Sequence, residues 1–141
     1  MDNLGYLLHK TSLMTKTELT NQLKEYNITA QQWSVLKDIS FHLNGTTPAM
    51  IADRLLADRP TITGIIQRLL QKGWIVTKHN PSDKRSHLVF LTDKANSLIH
   101  DIEHVSNDVI KIAVMNIPKD ELEITMGVLQ SMIQNLKDNK G

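Results

Sequence analysis

Seven basic residues between Thr47 and Thr92 are the side chains whose type and spacing most clearly favour a chemical task. Three acidic residues accompany them, so this segment carries +4, and because the whole chain carries +1 the remaining residues sum to −3. The bases are Arg54, Arg59, Arg68, Lys72, Lys78, Lys84 and Arg85. A basic middle between mildly acidic ends favours contact with a polyanion through the middle alone. Chance clustering on a solvated face is the alternative that charge by itself leaves open.

Residues suited to catalysis or metal binding are scarce. The chain has no cysteine, which excludes disulfides, thiolate-bound zinc and cysteine nucleophiles. No nucleophile elbow or phosphate-cradling glycine loop occurs, so we predict that the protein is not an enzyme and uses no cofactor. His100 and His104 have the spacing by which one helix offers two imidazoles to a metal ion. Solvated histidines are commoner and no fourth ligand is identifiable, so no metal site is predicted.

Length and composition indicate one folded domain. A chain of 141 residues, 40 % apolar and 22 % charged, is long enough to build a hydrophobic core and is not typical of disorder. No basic start followed by an apolar run is present, and no apolar run approaches the ~18 residues of a membrane span. We therefore expect a cytoplasmic protein without membrane contact.

Apolar periodicity and capping patterns predict two helices at the start of the chain. The first covers Leu4 to Tyr26, with apolar residues three and four apart. A capping-box pattern of Thr29 with Gln32 begins the second helix, and Asn44-Gly45 ends it. Its predicted apolar positions are Trp33, Leu36, Ile39 and Leu43.

Two further helices are predicted to follow in close succession. Thr47-Pro48 is typical of an N-cap followed by proline at the first helical position. The predicted buried side of this short third helix is Met50, Ile51, Leu55 and Leu56. Asp58 can cap a fourth helix from Arg59 to Lys72, and Gly73 ends it.

The pattern then changes to a β-hairpin and two long helices. Short β-branched and aromatic runs, 74–77 and 88–91, flank the turn cluster Asn80-Pro81-Ser82-Asp83. Thr92 is predicted to cap a fifth helix with an apolar seam, and Pro118 to open a sixth. The seam positions are Ala95, Leu98, Ile102, Val105, Val109 and Ile112, and those of the sixth helix are Leu122, Leu129, Met132, Ile133 and Leu136.

This order of elements predicts a mostly α (α+β) fold of six helices with a two-stranded wing, a dimeric winged helix-turn-helix. The fourth helix would lie in the major groove of duplex DNA while the third braces it across the backbone. At 100° per residue its apolar stripe centres on Leu69 and Ile62. The predicted DNA-binding residues of this helix are Arg59, Pro60, Thr61, Thr63, Gly64, Gln67 and Arg68, with Gln71 on the same outer face.

Two positions are singled out within that interface. Gly64 lies mid-helix, where glycine costs about 1 kcal/mol relative to alanine, so we interpret it as permitting close backbone approach to DNA; a tolerated surface glycine is the alternative. At the hairpin tip, Lys84 and Arg85 are predicted to contact DNA, with Arg85 suited to a minor groove. Asp83 is predicted to orient Arg85 or to pin the loop.

The chain also resembles the MarR family of regulators in four segments, and their joint spacing makes the resemblance specific. These segments are Arg59-Pro60-Thr61-Ile62-Thr63, residues 68–75, the wing 80–85, and Leu91-Thr92. The resemblance implies a homodimer held by the first, fifth and sixth helices, which reads a palindromic operator and represses transcription. It also implies relief by a small-molecule ligand near the junction of the dimerisation and DNA-binding parts.

The sequence departs from the family pattern at two points. Many members carry arginine where this chain has Gly64, so one phosphate or base contact is missing and Arg68 or Gln67 would compensate. The cysteine of oxidation-sensing members is absent.

Three expectations about organisation and partners remain. Residues 1–28 and 92–141 are predicted to form the dimerisation region, and 29–91 the DNA-binding region. Trp33 and Leu36 are predicted to line an effector pocket, with core packing as the alternative for Trp33. A winged-helix module that binds a protein instead of DNA is the competing functional hypothesis.

Overall fold

Six α-helices, one 3₁₀ turn and a two-stranded antiparallel sheet follow one another along residues 3–140, the part of the chain that this computed structural model describes. The helices are α1 (Leu4–Gln22), α2 (Ala30–Ser40), α3 (Pro48–Leu55), α4 (Arg59–Gln71), α5 (Asp93–Ala113) and α6 (Lys119–Asp138), and the strands are β1 (Ile75–His79) and β2 (His87–Leu91). The predicted mostly α fold with a hairpin wing is confirmed.

Side-chain caps confirm the predicted starts of α2, α3 and α5. The Thr29 hydroxyl accepts the Gln32 N–H while the Gln32 side chain accepts the Thr29 N–H, a complete capping box. Thr47 accepts the N–H of Met50 at 3.2 Å, and the Thr92 hydroxyl accepts the N–H of Ala95 at 3.3 Å. Each such cap satisfies a donor that the helix leaves unpaired, which is worth about 1 kcal/mol.

The ends of the first two helices differ from prediction. α1 stops at Gln22, and Leu23–Tyr26 forms a 3₁₀ turn that ends at Asn27 in the left-handed conformation. α2 stops at Ser40, so Leu43 lies outside the helix and is 76 % exposed, although a buried helical position was predicted for it. The cause is a tightening of the chain after Ser40: the N–H of Phe41 and of His42 each bond a carbonyl three residues back.

The buried side of α3 also differs from prediction. Ile51 and Ala52 are buried and Leu55 is half-buried, but Met50 is 53 % and Leu56 is 77 % exposed. The helix has only eight residues, and Leu56 follows it in the left-handed region with φ 54°. Helical spacing therefore does not apply at Leu56, and the residues that face the core are one and four positions apart.

The hairpin pairs β1 with β2 in a regular register, from Ile75 opposite Leu91 to His79 opposite His87. A third segment, which the sequence did not predict, adds an isolated bridge between Thr46 and Val89. Gly45 precedes it with φ +100°, and a Cβ there would lie 2.8 Å from the Phe90 ring. The segment between α2 and α3 therefore approaches β2 closely, and only glycine fits this position.

One hydrophobic core joins α2, α3, α4, the hairpin and the first part of α5. Its most deeply buried members include Leu23, Val35, Leu36, Ile51, Ile62, Leu69, Val89 and Ile102. Ile62 and Leu69 mark the inner side of α4, as predicted. These contacts fix the outer side of the same helix toward solvent.

The described residues divide into two compact units, with the division between Val109 and Ile110. In the first, Ala95, Ile102 and Val109 of α5 are buried, whereas α1 has no buried residue. In the second, α6 has no buried residue, and its predicted apolar side is exposed at Leu129, Ile133 and Leu136. Among the described helices, none is long and apolar enough to cross a membrane.

Candidate nucleic-acid interface

The outer face of α4 carries the polar residues that the sequence assigned to it. Six of them are exposed and Gly64 is half-buried; the exposed ones are Arg59, Pro60, Thr61, Thr63, Gln67 and Arg68. The helix contains no carboxylate, and its hydroxyl, amide and guanidinium groups can donate to base edges and phosphates. This chemistry is that of a surface that meets a polyanion.

Gly64 has no packing reason within the described chain. A Cβ built on it meets no atom within 4 Å. Because an added methyl group would fit and would favour the helix, the glycine is not explained by the fold of one chain. Close approach to a bound partner and a tolerated surface glycine both remain consistent with this position.

Asp58 fixes the start of α4. Its carboxylate accepts the N–H of Thr61 at 2.8 Å. This backbone hydrogen bond, reinforced by the Thr61 hydroxyl, holds the pKa of Asp58 below its ordinary value of 3.8. Asp58 is therefore ionised at neutral pH and occupies the position where a helix favours negative charge.

The wing tip is held by short hydrogen bonds of its own side chains. The Asp83 carboxylate accepts the N–H of Arg85 at 2.9 Å. Asn80 accepts the N–H of Ser82 at 3.0 Å and donates to the Ser86 hydroxyl at 2.8 Å. Asp83 thus bonds the loop backbone at Arg85, while the guanidinium of Arg85 remains exposed.

Three of the seven bases counted in the sequence already contact other groups of the protein. Arg54 pairs with Asp38, with Nη2 2.7 Å from Oδ2, and this hydrogen bond raises the pKa of Arg54. Lys72 donates to the Asn27 carbonyl at 2.6 Å and to the Gln32 side chain at 3.2 Å. Lys78 lies over the Phe90 ring, 4.9 Å from its centroid. The net charge of +4 on residues 47–92 therefore overstates the number of basic side chains that are available to bind a ligand.

The other four cations have no side-chain partner in the described part of the chain. The side chains of Arg59, Arg68, Lys84 and Arg85 make no hydrogen bond, ion pair or ring contact within residues 3–140. All four are exposed. They lie on the outer face of α4 and on the wing tip, which are the two predicted contact regions.

A groove of about 740 Å³ joins those two regions. Its lining includes Arg59 and Thr63 from α4 and Asp83 and Arg85 from the wing. Gly64 and Arg68 instead line a second, smaller depression of about 380 Å³ beside the start of α2. The predicted residues therefore spread over two adjoining parts of one surface.

The groove also contains residues that the sequence did not single out. They include the first residues of α3, together with Thr77 and His87 of the hairpin. The N-cap pattern at Thr47-Pro48 marked the start of α3 but gave no sign that it would face the wing, because that depends on packing between distant segments.

The remaining predicted residues lie away from this surface. Trp33 and Leu36 are buried members of the core, which agrees with the core-packing alternative, and their role in an effector pocket stays a prediction. His100 and His104 are exposed on α5. No group of three or more metal-binding side chains occurs in the described part of the chain.

A short helix, a three-residue connection, a polar-faced helix and a basic hairpin together define a winged helix-turn-helix protein. Comparison with known proteins narrows this class. The model of the MarR family matches residues 28–87. The multiple antibiotic resistance protein MarR of Salmonella typhimurium is 30 % identical over 131 residues, which cover 92 % of this chain and 90 % of that protein. The chain belongs to the MarR family.

Other relatives agree with this assignment. An uncharacterized HTH-type transcriptional regulator of Staphylococcus aureus is 28 % identical over 114 residues, covering 78 % of this chain and 76 % of that one. A mutant of Escherichia coli MarR solved in complex with operator DNA has a TM-score of 0.85 at 28 % identity, with 92 % of each chain covered. These relatives are named as regulators or DNA complexes, and none of them favours the protein-interaction alternative or an enzyme.

Proposed function

We propose that this MarR-family regulator binds double-stranded DNA as a homodimer, with α4 in a major groove and the wing in the adjoining minor groove. The observation that carries the proposal is the set of four exposed cations on α4 and the wing that have no partner within the described chain. Unpaired guanidinium and ammonium groups on one surface provide the phosphate-driven part of DNA affinity.

α4 and the wing are proposed to contact different grooves of the DNA. A major groove about 12 Å wide admits one α-helix, and Thr61, Thr63, Gln67 and Arg68 carry groups that hydrogen-bond to base edges and phosphates. The wing, with Lys84 and Arg85 at its tip, suits a narrow minor groove where negative potential is concentrated. The Asp83 carboxylate restrains the loop that presents Arg85.

Exposed apolar helices support the dimer. α1 leaves Leu7, Leu13 and Met14 exposed, and α6 leaves Ile124, Ile133 and Leu136 exposed. Large uncovered apolar surfaces on a folded protein are typical of interfaces. The dimerisation region proposed for residues 1–28 and 92–141 contains both helices, and 29–91 contains the candidate DNA interface.

Repression and its relief by a small molecule are the regulatory part of the proposal. A dimer on a palindromic operator would block access to the promoter, in the bacterial or archaeal cytoplasm where the chromosome lies. Because Trp33 and Leu36 are buried, an effector that used them would have to open the core between α2 and its neighbours. No catalytic step or cofactor is part of this function.

Selection of bound duplexes from a random DNA pool tests the proposal directly. We expect an enriched palindrome whose half-sites lie about one helical turn apart, as two recognition helices of a symmetric dimer require. The matched control is the Arg59→Ala, Arg68→Ala, Arg85→Ala variant, which should keep its circular dichroism spectrum and enrich no sequence. Absence of enrichment by the unmodified protein at low salt, or recovery of a stoichiometric protein partner that DNA does not displace, would contradict it.

A further inference from the structure

Arg54 lies in the helix-turn-helix, and its guanidinium is held by two residues, Asp38 and Thr46. Its Nε and Nη2 atoms donate to the two oxygens of Asp38 at 2.9 and 2.7 Å. Nη2 also donates to the Thr46 hydroxyl at 2.6 Å. The Asp38 side chain is only 9 % exposed and that of Arg54 32 %. A forked pair of this kind fixes direction as well as distance, because both N–H groups lie in one plane.

Thr46 connects the Arg54–Asp38 pair to strand β2 of the wing. Its carbonyl accepts the N–H of Val89 at 2.7 Å, and the residue is almost completely buried. The preceding residue, Gly45, lies against Phe90. The segment is thus held on β2, which begins at His87, two residues after Arg85.

We propose that Arg54 and Asp38 are positioning residues that set the direction of the wing relative to α4. The inference rests on the proposed function and names a determinant of it. Asp38 belongs to α2, Arg54 to α3, and Thr46 to the segment bridged to β2, so the Arg54 cluster (Asp38, Arg54 and Thr46) joins all three elements through the Arg54 guanidinium. A DNA contact must be held to within about 0.5 Å to form well, and a hairpin attached only through its own two strands would lack that restraint.

The Asp38→Asn variant distinguishes a positioning role from a purely electrostatic one, because the two predict opposite changes in DNA affinity. It removes a negative charge, so electrostatics alone would strengthen binding to the duplex obtained by selection. If Asp38 positions the wing, the affinity for the duplex should fall about fivefold or more. A loss of about fivefold is the lower end of what removal of one arginine contact to DNA costs. Asp53→Asn is the matched control, because Asp53 is exposed on α3 and its carboxylate has no partner within the described chain; it should bind equally or more tightly.

A double-mutant cycle with Arg85→Ala identifies the wing as the affected part. Once the wing is misplaced, Arg85 no longer contacts DNA well, so removing it should cost less in Asp38→Asn than in the unmodified protein. Arg54→Lys keeps the charge but cannot form the forked pair, and it should behave like Asp38→Asn. Additive penalties, or an Asp38→Asn protein that binds as tightly as Asp53→Asn, would overturn the inference.

Hydrogen exchange at the Val89 amide provides a readout that needs no DNA. We expect faster exchange in Asp38→Asn and in Thr46→Val, the milder variant that loses only the hydroxyl link. Lys37→Ala is the control, since Lys37 lies next to Asp38 on α2 and the change breaks only its exposed pair with Glu103 of α5 (3.7 Å). Unchanged Val89 exchange in a folded Thr46→Val protein would overturn the inference, whereas failure of duplex selection by the unmodified protein would overturn the proposed function instead.

Discussion

At the scale of single residues, the role of a basic side chain is decided by what lies within hydrogen-bond distance of it. Arg54 and Arg85 belong to the same basic segment, but Arg54 is bound by Asp38 whereas Arg85 has no side-chain partner within residues 3–140. A paired guanidinium cannot replace a counterion on a phosphate unless it first breaks its own bonds. The free cations are therefore the ones expected to produce salt-dependent binding.

Arg85→Ala should weaken binding to the selected duplex and lower the slope of log K against log salt by about 0.9, the contribution of one neutralised phosphate. The dimer should remain intact, because the wing lies outside the proposed dimerisation region. A gel-shift series over salt concentration measures both quantities. Lys16→Ala, an exposed residue of α1, removes the same charge and should leave the slope unchanged; equal slopes for the two variants would contradict the wing contact.

Gly64→Ala should change stability and binding in opposite directions. An alanine Cβ meets no atom within 4 Å, so the free energy of unfolding should rise by about 1 kcal/mol through helix propensity. If the backbone approaches DNA closely, the same methyl group should weaken duplex binding. Urea unfolding and gel shift measure the two effects.

The control for this variant is Gly127→Ala in α6, where an added Cβ is equally unhindered and the position lies off the predicted apolar side of that helix. It should raise stability without affecting DNA affinity. Unchanged affinity in Gly64→Ala would favour the tolerated surface glycine instead.

At the scale of elements, the turn between α3 and α4 determines where the recognition helix begins. Leu56 adopts φ 54° at the end of α3, a region in which an L-residue is crowded by its own Cβ. Its side chain is exposed and contributes little packing. The connection therefore has a strained backbone at Leu56, which the packing of the surrounding helices holds in place.

Leu56→Gly should relieve this strain and raise the free energy of unfolding by about 1 kcal/mol. Chemical denaturation followed by circular dichroism is the measurement. Leu43→Gly is the matched control, since Leu43 is equally exposed but does not have positive φ, and this change should not stabilise the protein. A destabilised Leu56→Gly protein would show that the side chain contributes packing.

Asp58 should make the stability of α4 depend on pH in the acid range. Its pKa is lowered in the folded protein, so its stabilising effect is complete above the ordinary value of 3.8 and is lost as pH falls through the folded pKa. Asp58→Asn keeps a capping oxygen but cannot titrate. The difference in thermal midpoint between the two proteins should therefore shrink as pH falls below 3.8, and a constant difference would contradict the role.

At the scale of the whole molecule, one chain leaves apolar surface uncovered on helices at both of its ends. Neither α1 nor α6 has a buried residue, although both follow the apolar spacing of packed helices. A long helix gains most of its stability from a covered apolar face. This uncovered surface supports the symmetric dimer that a palindromic operator requires.

Ile133→Glu should convert the dimer to a monomer, because a carboxylate would be buried in the interface without a partner. Light scattering after size-exclusion chromatography gives the mass. DNA affinity should fall about 100-fold or more, since two half-sites would no longer be bound together. Leu43→Glu, an equally large change in the DNA-binding region, should leave the dimer intact; a dimeric Ile133→Glu protein would exclude this side of α6 from the interface.

The sequence by itself determined the starts of the helices, the stop of α4 just before Gly73 and the inner stripe of Ile62 and Leu69. These features depend on residues a few positions apart, so their capping hydrogen bonds and apolar periodicity can be predicted from the residue types. Only the tertiary structure decided that Arg54 pairs with Asp38, sixteen residues away, and that Thr46 bridges to Val89. Contacts between distant segments depend on how the elements pack. From the sequence alone Arg54 is equally compatible with a surface cation and with an internal ion pair, and the position of the Asp38 carboxylate in the fold decides between them.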